Sequence, residues 1–386
     1  MNLTMKVLIS AMGIVLNGNV FAETEIEKLR ADVEELKKEV QKAGEWKEPS
    51  TLIHMSGYAD VGYTNTENAN DSFSVGRFSP IFHYQYRDLV MLESELEFEV
   101  EEDGSTSVTL EYLTIDLFLN DYMAFVAGKF LSPIGQFRQN LHPSWINKLP
   151  SAPPGFGHDG AAPVSDIGMQ LRGGFPVAGI RSNYAVYVSN GPELIAEWGG
   201  AEFELDGIEA EGKNADTDNK KVIGGRFAIL PITSLELGLS AATGKATVTS
   251  VEGTGAPALS NEQARSYDVL GFDFAWQLKG ISVRGEYVKS KIGDAATGAA
   301  ASAGADWTTW YTQFAYKFLP SKFEAAARYT DFDSVGTSKD QKQWALGVNY
   351  LFTNSVIGKV AYEINDGETG AKADDDRLMF QLAYGF

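Results

Sequence analysis

The most regular hydrophobic pattern in the chain lies between Val90 and Glu101, where apolar and acidic residues alternate one by one. One face would carry Val90, Leu92, Leu96, Phe98 and Val100, and the other would carry Glu93, Glu95, Glu97, Glu99 and Glu101. A period of two residues is that of a β-strand, because a helix would scatter the acids round its axis. At about 11 residues the run is longer than a typical soluble strand and matches a tilted strand that crosses a bilayer.

Similar alternation recurs over 52–386 and predicts sixteen strands. The connections between them alternate in length. Short turns, of which Lys279-Gly280 is one, alternate along the chain with long segments, of which 131–165 and 190–219 are two. Short turns on one side and long loops on the other are typical of transmembrane barrels, whereas a soluble sandwich has no reason to keep this parity. We therefore predict an all-β fold, a 16-stranded antiparallel transmembrane β-barrel over 52–386 with both of its ends on the short-turn side.

The residues before the barrel follow other patterns. Residues 1–22 combine a basic start, a short apolar stretch and a final Ala22, which predicts a signal peptide that is removed on export. Residues 23–43 contain no aromatic residue and carry apolar residues at spacings of three and four, the heptad pattern of a coiled-coil helix. The alternative is a single amphipathic helix lying on another surface. We expect 44–51 to be a linker.

Composition and charge exclude several classes of protein. The formal net charge of −20 would repel nucleic acid, so we expect no nucleic-acid partner. The chain contains no Cys, which excludes disulfide scaffolds and cysteine-ligated metals. The four His residues show no hydrolase or metal-ligand spacing, and we interpret His158-Asp159 as a surface pair rather than part of a catalytic dyad. We therefore expect no enzyme activity, no metal and no cofactor.

In a barrel of this width, the second face of each strand lines the lumen. On the fifth strand, for example, Tyr122, Ala124, Val126 and Phe130 form the apolar row, and Lys129 alternates with them. A lumen with many ions must hold water, because unpaired buried charge is prohibitive. The alternative is a barrel closed by internal salt bridges, but sixteen strands enclose too wide a bore for side chains to fill. The predicted pore-lining residues on the strands are Arg77, Glu93, Glu95, Glu97, Glu99, Lys129, Arg172, Arg181, Arg226, Arg284, Arg328 and Lys359.

The long segment 131–165 differs from the other connections because it contains six prolines. Prolines stiffen a loop and fix its course. As the third long loop of a sixteen-stranded barrel, it is well placed to fold inward and narrow the channel. Arg138 and Lys148 would then line the pore and meet permeating anions. The alternative is that both pair with acids of the loop or with groups that face lipopolysaccharide.

Three segments carry a resemblance to a known family: GKFLSPIG at 128–135, LHPSW at 141–145 and GMQLRG at 168–173. They resemble the phosphate-selective porin O and P family and its broad relatives. The resemblance covers 52–386 and is specific only near 128–175. It implies a trimeric sixteen-stranded porin with an inward-folded third loop. Phosphate-selective members line the constriction with closely spaced Arg and Lys, whereas the lumen bases here are spread singly over many strands.

The resemblance and the charged lumen together define the expected function. We expect a porin of the bacterial outer membrane that lets small hydrophilic solutes diffuse passively, anionic ones among them. Its expected partners are outer-membrane lipid, lipopolysaccharide, further copies of itself in a homotrimer, and the cell wall or a periplasmic protein reached through 23–43. The alternative is a structural barrel that acts as a sheath or envelope anchor for a partner protein. The heptad residues themselves favour a two-stranded coil, whereas the resemblance implies three subunits.

Overall fold

A computed structural model describes residues 51–157, 160–318, 320–335 and 339–386, together with Glu34 and Lys37. The predicted signal peptide, the rest of the predicted helix, the predicted linker apart from residue 51, and the His158-Asp159 pair lie outside the described residues. Glu34 and Lys37 are helical and exposed, and they form an ion pair of 3.4 Å. Among the described residues, no helix is long and apolar enough to cross a membrane.

The strands form a closed antiparallel barrel of sixteen strands, which confirms the predicted fold class. In chain order the strands are β1 (Thr51–Thr66), β2 (Ser72–Tyr86), β3 (Val90–Val100), β4 (Thr106–Asn120), β5 (Met123–Leu131), β6 (Ser165–Val177), β7 (Ile180–Ser189), β8 (Glu193–Trp198), β9 (Phe203–Glu209), β10 (Val222–Ile232), β11 (Leu235–Glu252), β12 (Arg265–Leu278), β13 (Ile281–Ile292), β14 (Ala305–Lys317), β15 (Phe323–Asp333), β16 (Gln341–Leu351), β17 (Val356–Gly367) and β18 (Arg377–Gly385).

The barrel closes where β1 pairs with β18. At this seam, Gly57 and Phe386 exchange two backbone hydrogen bonds, each of 2.9 Å. The last residue of the chain is therefore part of the closure. Strands β8 and β9 are not part of the barrel wall, because β7 pairs directly with β10.

The outer surface of the barrel carries the large apolar residues that the alternation predicts. Phe272, Leu346 and Phe380, for example, lie near the middle of regular strands, and each is more than 40% exposed. Such a surface is stable against hydrocarbon, and a closed barrel leaves no strand edge without hydrogen bonds.

The long connection 190–219 differs from the prediction because it contains the hairpin of β8 and β9. Strand β8 also pairs in parallel with the end of β11, between Thr247 and Glu252. The hairpin buries Leu194, Leu205 and Ile208. The many acidic residues of this segment predicted a solvated loop, although its apolar residues are enough to form a packed hairpin.

The assignment of faces on β5 was wrong. Val126 and Phe130, which we predicted in the outward row, are only 0% and 4% exposed. Both faces of this strand carry apolar residues, so a period of two does not indicate which face is inward. Lys129 alternates with the buried pair and lies in register with Leu113, an exposed residue of β4. Because directly paired residues of neighbouring strands point to the same side of the sheet, this register does not support the predicted position of Lys129 in the lumen.

A charge introduced on the outer face should destabilise the barrel. Leu346 lies at the middle of β16 and is 46% exposed. We expect Leu346→Arg to lower the free energy of unfolding in phospholipid vesicles by about 2–4 kcal/mol, because the guanidinium would lie near the bilayer midplane. Leu346→Phe, which keeps the surface apolar, is the matched control and should stay near the wild-type value. Equal stability of the two variants would show that this face does not contact hydrocarbon.

Candidate functional site

The described residues of the connection between β5 and β6, 132–157 and 160–164, lie inside the barrel; this connection is called the third loop below. The ammonium group of Lys148 forms an ion pair of 3.0 Å with Glu324 on β15. The backbone carbonyl of Lys148 accepts a hydrogen bond of 2.9 Å from the Asn349 side chain on β16. Lys359 on β17 donates to the carbonyl oxygen of Ser144. The third loop therefore crosses the lumen from β5 to the opposite wall.

Arg328 on β15 makes the largest set of contacts with this loop. Its guanidinium donates to the carbonyl oxygens of Ser151 and Ala152 at 3.0 and 3.2 Å, and to the Ser151 hydroxyl at 3.0 Å. It also donates to the Gln343 side chain at 3.0 Å, and only 1% of Arg328 is exposed. A basic residue that the sequence placed in the open lumen thus serves as an anchor of the loop.

A second anchor lies near the start of the third loop. The backbone N–H groups of Gln136 and Phe137 donate to one carboxylate oxygen of Glu286 on β13, at 3.1 and 3.0 Å. Gly135 precedes them with a φ of +75°, a conformation that favours glycine, and a Cβ there would collide with the Glu286 carboxylate. This glycine allows the loop backbone to approach Glu286 closely enough for both hydrogen bonds.

Apolar side chains fill much of the lumen at the long-loop end. Phe137 and Phe156 of the third loop pack against Tyr311 on β14, with the Phe156 and Tyr311 ring centroids 5.1 Å apart. The hairpin adds its buried apolar residues to the same cluster. The wall contributes inward-facing residues of β10–β15, which include Val222, Tyr267, Val288, Ile292, Trp307 and Phe332. Beside these strands, the lumen therefore has an apolar core rather than the wet, charged face that we expected.

The hairpin is held in place by polar contacts at both sides. Lys339, in the connection before β16, forms an ion pair of 2.7 Å with Asp206 of β9. Lys213 forms ion pairs with Glu193 and Glu209, one on each hairpin strand. Partial burial by itself would lower the pKa of Lys213, but the two carboxylates raise this pKa above its usual value. Together these pairs fasten the hairpin over the apolar core.

Three cavities lie along the inner wall, mainly beside β1–β7 with contributions from β10, β11 and β18, and they follow one another from the long-loop end to the short-turn end. The outer, middle and inner cavities have volumes of about 410, 250 and 520 Å³. His142 of the third loop borders both the outer and the middle cavity. Gln139, Asn140, Gln170 and Arg172 border both the middle and the inner cavity. The three cavities therefore form a series beside the third loop.

The outer cavity contains the first group of predicted site residues. Arg77 on β2 forms ion pairs with Glu97 at 3.3 Å and with Glu99 at 2.8 Å, both on β3. Asp60 on β1 accepts a hydrogen bond of 3.1 Å from the Gln381 side chain. Strands β1–β3 thus contribute two acids, Asp60 and Glu99, and one base, Arg77, to the lining of the outer cavity.

Arg138 and His142 form the loop side of the boundary between the outer and middle cavities. Arg138 lies in a π-helical turn, Phe137–Leu141, and is only 5% exposed. Within the described part of the chain its guanidinium forms no ion pair. The Nδ1 atom of His142 contacts the carbonyl oxygen of Arg138, and its Nε2 atom lies 3.6 Å from the Glu95 carboxylate. The third loop therefore comes within contact distance of β3 here.

The middle cavity is the smallest of the three and has an acidic wall. Glu93 on β3 lies 3.0 Å from Nε2 of His83, and the Tyr112 hydroxyl donates to Glu93 at 3.4 Å. Glu95, two residues further along β3, accepts a hydrogen bond of 2.8 Å from the Tyr58 hydroxyl. Both carboxylates thus have mainly uncharged hydrogen-bond donors as partners.

The bases of the inner cavity are paired with acids. Arg172 on β6 forms an ion pair with Asp116 on β4. Arg226 on β10 forms ion pairs of 2.6 Å with Asp273 and 2.9 Å with Glu236. Each guanidinium on this part of the wall is therefore balanced by at least one carboxylate.

The structure divides the predicted site residues into three groups. Those that border the cavities are Arg77, Glu93, Glu95, Glu99, Arg138, Arg172 and Arg226, and Glu97 lies directly behind Arg77. Those that anchor the third loop are Lys148, Arg328 and Lys359. Those that join neither group are Lys129, Arg181, which is exposed, and Arg284, which is partly buried.

Sequence reasoning missed several uncharged residues that border the cavities. These are His142, Gln139, Asn140, Gln170 and Tyr112. The prediction of pore-lining residues used only the charged residues of the inward phase and so did not include neutral polar ones. Gln170 and Tyr112 each alternate with an apolar row on their strands, so the pattern could have identified these two. The loop residues had no such signal.

Comparison with known proteins gives one family model and a set of solved structures. The model described as the β-barrel domain of the S-layer protein SlpA matches residues 178–364, slightly less than half of the chain. None of the curated protein sequences compared with the chain matches it.

The solved structures share the fold at low sequence identity. The trimer form of OmpT, an outer membrane protein of Vibrio cholerae, has 10% identity and a TM-score of 0.54, with 87% of this chain and 99% of that chain covered. The anion-selective porin from Comamonas acidovorans has 14% identity and a TM-score of 0.56, with 87% and 100% covered. The outer membrane channel DcaP of Acinetobacter baumannii has 11% identity and a TM-score of 0.56, with 87% and 97% covered. The protein thus has a porin-like barrel fold.

Removal of the Arg328 anchor should loosen the third loop. A hydrogen bond to a charged group contributes about 1.5–3 kcal/mol. In Arg328→Gln we therefore expect amide hydrogen exchange over 144–152 to become faster by about tenfold or more. Arg181→Gln, which removes an exposed guanidinium that does not contact the loop, should exchange as the wild type does. Unchanged exchange in Arg328→Gln would show that the other anchors hold this segment without Arg328.

Proposed function

We propose that this protein is a porin through which small hydrophilic solutes diffuse passively. One observation carries the proposal: a closed barrel contains a series of polar cavities that share lining residues from its long-loop end to its short-turn end. A charged wall of this kind keeps water in the passage, because dehydration of carboxylates without a full ionic partner is prohibitive. The third loop narrows the passage and confines it to the side of β1–β7.

We place the barrel in the bacterial outer membrane, in contact with lipid and lipopolysaccharide. The exposed apolar outer face supports a membrane location, and barrels with short turns on one side and long loops on the other are typical of the outer membrane. We propose a homotrimer, in line with the trimer form of the structurally similar OmpT. The predicted signal peptide 1–22 supports export.

The preference for anions stays a prediction. It depended on free bases in the lumen, and Arg138 and Lys148 were its main candidates. Lys148 is paired with Glu324, and Arg77, Arg172 and Arg226 all have carboxylate partners. These pairs leave few positive charges to attract an anion.

A second function has support from one observation and one prediction. The match of 178–364 to the barrel domain of an S-layer protein, and the predicted heptad helix 23–43, both fit a structural barrel that anchors or sheathes a partner in the envelope. In that case the apolar core under the hairpin would seal the lumen rather than leave a passage beside it.

Conductance in planar lipid bilayers separates the two functions. We expect purified, folded protein to produce stable open-channel currents in steps of uniform size, because polar cavities that share lining residues follow one another from the long-loop end to the short-turn end. Heat-modifiable mobility in gels serves as the check on folding. Folded protein that inserts but remains silent would support the structural barrel and contradict the porin.

The role of the predicted helix can be tested on the same preparation. We expect removal of 23–43 to leave the single-channel conductance unchanged, because all the residues that border the cavities lie beyond it. The fraction of trimer in native gels should fall if the helix assists assembly. A changed conductance would contradict the assignment of this segment to assembly or to contact with the cell wall.

A further inference from the structure

We infer that the passage prefers cations to anions, and that Glu93, with Glu95 behind it, is the residue that sets this preference. The inference rests on the proposed diffusion function and names the class of ion that the passage favours. It concerns the middle cavity, where the space beside the third loop is smallest.

The position of Glu93 gives it the strongest influence on a passing ion. It borders the smallest cavity, and its side chain is 24% exposed, whereas that of Glu95 is 1% exposed. A narrow passage with low-dielectric walls focuses the field of such a charge on the ion inside it. An ion in the middle cavity therefore lies close to Glu93.

The acids of the middle cavity are not balanced by bases. Its one Lys or Arg is Arg172, and that guanidinium is already paired with the fully buried carboxylate of Asp116. Glu93 and Glu95 receive hydrogen bonds from the hydroxyl groups of Tyr112 and Tyr58, which carry no charge. Their other partners are the ring nitrogens of His83, 3.0 Å from Glu93, and His142, 3.6 Å from Glu95. With both histidines neutral, the middle cavity has a net negative charge.

The same imbalance continues into the outer cavity. Arg77 is shared between two carboxylates, Glu97 and Glu99. The buried Arg138 lies in the field of three carboxylates, those of Glu111, Glu211 and Glu97, and of one base, Arg77. Asp60 and Glu101 add two further acids to this cavity. A cation thus meets a negative potential from the long-loop end to the middle cavity, and carboxylates that line a passage favour cations over anions.

The test is the reversal potential of the open channel under a KCl concentration gradient. For the wild type we expect a potassium-to-chloride permeability ratio above one. In Glu93→Gln, which keeps a side chain of the same size that can accept a hydrogen bond from Tyr112, we expect the ratio to fall about threefold. In Glu93→Lys the ratio should approach or fall below one. Glu204→Gln is the matched control, since it removes an equal charge from an exposed position on the hairpin.

The outcomes separate the inference from the proposed function. Absence of current in every folded protein would contradict the porin itself. Stable current with a wild-type ratio of one or below would overturn the cation preference and leave the porin intact. A cation-preferring wild type with an unchanged Glu93→Gln ratio would overturn the assignment to Glu93.

A measurement on the unmodified protein covers the case in which the Glu93 variants do not fold. Spermine, a polycation, should bind the acidic wall and reduce the potassium current of the wild type at concentrations at which sulfate has no effect. Block by sulfate instead of spermine would show that the passage attracts anions and would overturn the inference.

Discussion

The architecture depends on the pairing of β1 with β18, which joins the two ends of the sheet. A sheet that crosses hydrocarbon must leave no edge, because each unpaired backbone group there would cost several kcal/mol. The exchange of hydrogen bonds between Gly57 and Phe386 satisfies this requirement at the end of the chain. Closure with sixteen strands, however, encloses more space than the wall's own side chains can fill. The third loop and the hairpin occupy much of that space, and the cavities lie where they do not reach.

The barrel could be predicted from the sequence because two independent signals agreed. On β3 the alternation of apolar residues with glutamates set the strand and its faces, and the parity of short and long connections set the strand number. The faces of β5 could not be predicted, since Phe125 and Val126 are both apolar and only the neighbouring strands decide which one is inward. Alternation divides the residues of a strand into two rows. When both rows are apolar, it does not show which row faces the lumen.

The partly apolar lumen was missed although the sequence contains a signal for it. On β13 the inward phase begins with Arg284 and Glu286 and continues with Val288 and Ile292, which are buried. The change from charged to apolar residues within one phase marks the depth at which the third loop and the hairpin begin to cover the wall. The prediction treated each inward face as polar over its whole length, and so it did not include the change from charged to apolar residues along β13.

The basic residues show why charge content alone does not determine ion preference. Arg328 and Lys359 point toward the third loop, and each donates hydrogen bonds to carbonyl oxygens of that loop. A guanidinium or ammonium group suits this task because it donates several hydrogen bonds in different directions, whereas a carboxylate only accepts them. The loop backbone offers both kinds of group, so the wall that it contacts uses bases for its carbonyl oxygens and Glu286 for two of its N–H groups. Arg328 and Lys359 are therefore occupied by the loop, which leaves fewer bases in the lumen to attract an anion.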